Sequence, residues 1–123
     1  MGRSQEAAVV RDGGEPVCER CRVAENPLTR LRGLLGRSGL GPQEGLLIRP
    51  TSAIHTCFMR FPIDAVFLDR ELVVVGVETN IRPWRAAARR GATAVLELPS
   101  GESRRRGIRR GERLRLAELA AVE

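Results

Sequence analysis

The sequence predicts a small single-domain protein of mainly β structure, a β-sandwich or partly open barrel with one short helix. Three observations carry that expectation. At 123 residues the chain fits one domain. Short apolar or β-branched runs recur along it, parted by Gly, Pro and Asp turn signals. Only one segment repeats its leucines at helical spacing. The expected layout is an N-terminal strand and turn over 1–16 that can fray, then one mainly-β domain over 17–119, with no second domain, linker or internal repeat.

The first run, "EAAVV", is stopped at Gly13-Gly14. "VCERCRVAE" then alternates Val17, Glu19, Cys21 and Val23 against Cys18, Arg20, Arg22 and Ala24, which makes an N-terminal hairpin. Pro27 opens a helix with Leu28, Leu31, Leu34 and Leu35 on one face, ended by the glycines from Gly36 to Gly41. "GLLIRP" is a short strand stopped by Pro50. "SAIHTCFMRF" is apolar on both faces and reads as an interior strand, placing His55, Cys57 and Met59 on one side. "IDAVFLD" and "LVVVGVE" flank the turn Asp69-Arg70-Glu71 and form the clearest hairpin.

Asn80 to Gly91 reads as a basic connection. "TAVLELP" alternates, with Ala94, Leu96 and Leu98 on one side. "SGESRRRG" suits one helical turn capped by Ser100 or Ser103, and "ERLRLAEL" a closing strand with Leu114 and Leu116 inward. Seven or eight strands result.

An apolar share of 42% supports a real core, built mainly from Leu, Val, Ile and Ala because aromatics are scarce. The net charge is +6, and all 21 basic residues are arginine. Total avoidance of lysine reads as coding bias, which partly discounts the inference of an anionic partner. No apolar run reaches the roughly 18 residues that cross a membrane, and the start has no signal-peptide core. A soluble, cytoplasmic protein is expected, with its three cysteines as thiols or metal ligands.

"LRGLLGRSGL", "GLLIRP", "IHTCFMRFPIDAVFLDRELVVVGV" and "AVLELPSG" before "GIRRGERLRL" together resemble domain-of-unknown-function family 192. The order and spacing match over roughly residues 17 to 117. The resemblance implies a single mainly-β, sandwich-like domain with a short helix. It implies no activity, because none is established for the family. Some members carry an N-terminal secretion signal, and this chain departs from them there.

Four chemistries can be weighed on the residues. Cys18-x-x-Cys21 with His55 and Cys57 makes a Cys₃His zinc complement. It requires a bulge, because i and i+3 of a straight strand face apart. Otherwise Cys18 and Cys57 are small core residues. The row His55, Cys57, Met59 offers soft ligands for copper(I), and core packing explains Met59 equally well. Cys57 beside His55 could be a nucleophile and base, yet no third group or oxyanion donor can be named.

Arginine-rich "RPWRAAARR" and "RRRGIRR" could bind nucleic acid through Arg82, Trp84, Arg85, Arg89, Arg90, Arg104, Arg105 and Arg106, with a base stacked on Trp84. Solvated loops are the plain alternative.

Asp64 interrupts an apolar run after Pro62, so it should be buried and partnered, with Arg32, Arg60 or freed backbone amides as candidates. A structural brace is the favoured reading, and the floor of a pocket the other. The residues favour a domain that binds a ligand or protein partner without catalysis. Arg32, His55, Met59, Asp64 and Trp84 are its candidate contacts. No cofactor is expected on this reading; a zinc-stabilised domain and a nucleic-acid binder are the alternatives.

Overall fold

The computed structural model describes residues 5–26 and 37–118. Its strands are β1 (Gln5–Arg11), β2 (Pro16–Ala24), β3 (Glu44–Ile48), β4 (Ala53–His55), β5 (Ile63–Leu68), β6 (Val74–Ile81), β7 (Ala86–Ala88), β8 (Ala94–Pro99) and β9 (Leu114–Glu118). One helical turn, α1, spans Glu102–Arg105. The leucine-rich helix expected after Pro27, and with it Arg32, lies outside the described residues.

Seven strands form one sheet in the order β6-β5-β8-β3-β2-β1-β9, and β4 pairs with β7 as a separate ribbon. Only β2 and β3 run parallel, with Cys21 opposite Gly45 and Val23 opposite Leu47. Gly45 permits that approach, because a Cβ there would stand 2.8 Å from the Cys18 sulfur. The sheet is not closed into a barrel. Its two outer strands meet at a single antiparallel bridge, Val73 to Arg113.

The hairpins follow the turn chemistry of the sequence. Asp69 Oδ1 accepts the N–H groups of Glu71 and Val73, both at 2.9 Å, and so turns β5 into β6. β1 and β2 pair antiparallel through a register shift between Ala7 and Val9.

Each face of the sheet carries its own apolar layer. The inner one includes Val9, Val17, Cys18, Cys21, Leu47, Val66, Leu96, Leu98 and Leu114. The outer one includes Leu46, Ile48, Ile63, Phe67 and Val95, with Ile54 of β4 and Met59 packed on it. Strands β5 and β8 are therefore covered on both sides, as expected where a sheet is sandwiched between two layers. Ala94, Leu96 and Leu98 do share the inner layer.

Three sequence expectations need correction. The segment 53–61 is not one interior strand: β4 ends at His55, and a turn follows at Cys57-Phe58. The basic connection after Asn80 contains a strand, β7, whose partner is β4. Neither Ser100 nor Ser103 caps α1 through its side chain; the N-cap is Gly101, in the left-handed region at φ 95°.

No described helix is long and apolar enough to cross a membrane.

Candidate functional site

Thr56 is fully buried where two loops meet. Its hydroxyl donates to the Arg82 carbonyl at 2.6 Å and accepts the Arg85 N–H at 2.8 Å. Its own N–H donates to the Arg85 carbonyl at 2.8 Å, while its carbonyl accepts the Trp84 N–H at 3.0 Å and the Met59 N–H at 3.2 Å. One threonine thus pins residues 57–59 to residues 82–85.

The pinned loops present two aromatic rings. Phe58 is 70% exposed and Trp84 58% exposed, the two large apolar side chains left in solvent among the described residues. Their centroids lie 4.5 Å apart with the planes tilted by 59°. Both residues sit at φ 66°. A bulky side chain there costs roughly 1–2 kcal/mol, and such strain persists only where the surroundings impose it. Thr56 is what imposes it.

Arg60, Arg82 and Arg85, near the two rings in the chain, are exposed. Six arginines elsewhere are matched to carboxylates: Arg11 with Glu112, Arg37 with Glu44, Arg49 with Glu25, Arg105 with Glu102, Arg106 with Glu19 and Glu102, Arg113 with Glu71. Arg70, Arg90, Arg104, Arg109 and Arg110 are exposed and in no ion pair among the described residues. Among the described residues Arg60, Arg82 and Arg85 enter no such pair. Arg82 and Arg85 line a groove of about 340 Å³ with Glu78, Thr79, Asn80 and Ile81. A second cleft, of about 470 Å³, lies between Glu25, Arg49, Pro50, Asp69, Arg70 and Leu72. Its charges are balanced, and Arg49 is already paired with Glu25 at 2.9 Å.

The other expected site residues are dispersed. Cys18 and Cys21 lie in the inner layer, where the irregular pairing with β1 lets both face inward. Cys18 Sγ donates to the Gln43 carbonyl at 3.7 Å and Cys21 Sγ to the Arg22 carbonyl at 3.4 Å. The neighbouring Cys21 thiol holds Cys18 below the usual thiol range, and Cys18 together with burial pushes Cys21 well above. His55 is exposed and Cys57 half-buried at the end of β4. The Cys₃His set is therefore not assembled. No cluster of three or more His, Cys, Asp or Glu suited to a metal occurs among the described residues.

His55 also departs from its expected place beside a sheet core. The strand ends at His55, and its Nδ1 accepts the Cys57 N–H at 3.2 Å, bracing the turn. Met59 is buried in the outer layer, as core packing required.

Asp64 is fully buried. Its partners are not Arg60 but four donors of Asn80, Gly101 and Ser103. Oδ1 accepts the Asn80 N–H at 2.9 Å. Oδ2 accepts the Gly101 N–H at 3.1 Å, the Ser103 N–H at 3.0 Å and the Ser103 hydroxyl at 2.6 Å. The register slips between Ile63 and Ala65 opposite this point, and Asp64 takes up the Asn80 amide there. Asp64 is thus the brace that the sequence favoured.

Three arginines expected at a nucleic-acid surface are occupied within the fold. Arg89 lies over the Phe67 ring at 5.9 Å and fills the space above Gly76, where a Cβ would meet it at 2.5 Å. Arg105 grips Glu102 through two bonds of 2.8 Å. Arg106 is held by Glu102, Glu19 and the carbonyls of Pro16 and Pro42. Arg90 and Arg104 remain exposed.

Sequence reasoning missed Thr56, Phe58 and Arg60 as site residues. It also missed Glu97 as a buried acid. Glu97 is only 3% exposed and stands between Leu46 and Ala65 across the sheet. Burial pushes its carboxyl up to about 8.

The model of domain-of-unknown-function family 192, described as an uncharacterized ACR, matches residues 8–116. This chain belongs to that family. Two curated relatives are UPF0127 proteins, a name that assigns no activity. One, from Pyrococcus abyssi, is 36% identical over 86 residues, 64% of this chain and 70% of its own length. The other, from Pyrococcus furiosus, is 31% identical over 108 residues, 82% of this chain and 90% of its own length.

Two crystal structures share the fold. A Sinorhizobium meliloti protein, proposed as a transcription regulator, superposes with TM-score 0.83 at 23% identity, covering 97% of this chain and 99% of its own. A Novosphingobium aromaticivorans protein of unknown function gives TM-score 0.74 at 24% identity, covering 89% and 83%.

Proposed function

We propose that this chain is a non-catalytic binding domain whose recognition surface is the corner built by Phe58, Trp84, Arg60, Arg82 and Arg85. The single observation that carries the reading is the exposed, strained aromatic pair, both rings at φ 66°. A fold that needed only stability would put Gly or Asn at those two positions. Exposed Trp and Arg are also the residue types that dominate binding energetics. Guanidinium groups with no carboxylate partner among the described residues favour an anionic partner.

Nothing near the corner supports chemistry. The His55 Nδ1 is engaged by a backbone amide, and no orienting group for a Cys57–His55 pair is present among the described residues. The three free thiols fit a reducing compartment, and we place the protein in the cytoplasm.

The test compares Phe58→Gly and Trp84→Gly with wild type. Both variants should melt at or above the wild-type temperature, because the backbone strain is relieved. Both should bind an anionic probe such as a labelled polyphosphate at least ten-fold more weakly. Unchanged binding in both would remove the corner as the recognition surface.

A further inference from the structure

We infer that the occupant of this corner is single-stranded nucleic acid, with a base stacked on the Trp84–Phe58 pair and its phosphates held by Arg82 and Arg85. The inference rests on the binding reading above and names its partner.

Geometry and charge carry it together. The two rings form a ledge rather than a pocket, tilted by 59° and each more than half exposed. A ledge of open ring faces suits a planar base, which can stack whatever its identity. In a duplex the base faces are stacked on one another and closed to such a ledge. Arg82 and Arg85 bracket Trp84 in the chain, and Arg60 follows Phe58 by two residues. These guanidiniums have no carboxylate partner among the described residues, and Arg85 Nη1 donates to the Trp84 carbonyl at 3.3 Å.

The groove that Arg82 and Arg85 line mixes donors and acceptors: Glu78, Thr79, Asn80 and the two arginines. The Asn80 side-chain oxygen already accepts the Ser100 hydroxyl at 2.9 Å. Its amide nitrogen remains to donate. A Glu78 carboxylate can accept an N–H of a base, such as the N3–H of thymine.

The chain holds one tryptophan and no tyrosine, so its emission reports on the site directly. The experiment titrates the full chain with oligothymidylate of about ten nucleotides, inside the range of single-strand site sizes. A duplex of equal length and polyglutamate of equal charge are titrated beside it. Oligothymidylate should quench Trp84 and bind more tightly than either control.

Its affinity should fall with salt, and Arg82→Gln or Arg85→Gln should each lower the log–log salt slope by about 0.7, as for one lost phosphate contact on a single strand. Trp84→Ala should weaken a labelled strand at least ten-fold. The two arginine variants alter exposed side chains only, so they keep the test valid if Trp84→Ala fails to fold.

Quenching by polyglutamate but not by oligothymidylate overturns the inference and leaves the binding reading standing. Duplex binding as tight as single-strand binding and indifferent to Trp84→Ala overturns it too, as general charge attraction. Silence from all three probes removes both.

Discussion

Asp64 Oδ2 accepts both the backbone N–H and the hydroxyl of Ser103, at 3.0 and 2.6 Å. One oxygen of β5 thereby holds the first turn of α1 against the sheet, while the other oxygen takes the Asn80 N–H at the irregular step of β6. Two segments distant from β5 in sequence, Asn80 and Gly101 to Ser103, converge on one buried carboxylate. The charge is stabilised by donors rather than by a cation, and α1 receives from Asp64 the cap that its own N-cap glycine cannot supply.

Asp64→Ala should therefore lower stability by about 3 kcal/mol, since it strands several buried donors at once. Asp64→Asn should recover little, because an amide offers one accepting oxygen where the carboxylate offers two. Urea unfolding checks both. A midpoint equal to wild type for Asp64→Ala would falsify the brace.

Much of this brace was legible in the sequence, and the binding corner was not. An acid inside "FPIDAVF" has to be buried and satisfied, whatever the fold. Which donors satisfy it was not readable, because they come from Asn80 and from Gly101 to Ser103. The corner failed for a different reason. Phe58 has the composition of a core residue, and nothing local tells an alternating apolar run that one member will adopt positive φ. β7 was invisible because Ala86–Ala88 has weak strand preference and is fixed by pairing with β4.

The arginine stretches were read as uniform for a similar reason. Arg104, Arg105 and Arg106 look equivalent in sequence. Glu19 on β2 removes Arg106 from the solvated set. A partner so far away in the chain leaves no local trace. The hairpins, by contrast, follow local turn chemistry, as at Asp69, and were readable.

Thr56→Val keeps the volume of residue 56 but removes the hydroxyl bonds to Arg82 and Arg85. The Arg85 N–H loses its acceptor, and a loss of about 2 kcal/mol is expected. The loops should also part, so the variant should show faster hydrogen exchange at the Trp84 and Arg85 amides than elsewhere. Thermal melts and exchange rates check the two halves separately. Uniform exchange across the chain would mean that Thr56 does not organise the corner.

Glu97 makes stability depend on pH in an unusual direction. Its folded-state value, about 8, lies above the ordinary carboxyl value of 4.5. The unfolded chain therefore releases this proton first. Stability from Glu97 is full below about pH 4.5 and is lost as pH rises towards 8, by about 1 kcal/mol per unit at the steepest. Glu97→Gln should flatten that slope and raise the melting temperature at pH 8. Parallel wild-type and Glu97→Gln melting curves from pH 5 to 9, measured by circular dichroism, would show instead that the side chain reaches water.

The most direct measurement is a backbone amide shift map of the full chain with an oligothymidylate of about ten nucleotides. The account predicts that the largest shifts fall on residues 55–61 and 78–87, with the Trp84 indole among them. Shifts centred on residues 104–110, or on the cleft between Glu25, Arg49, Asp69 and Arg70, with the Trp84 indole unmoved, would contradict it.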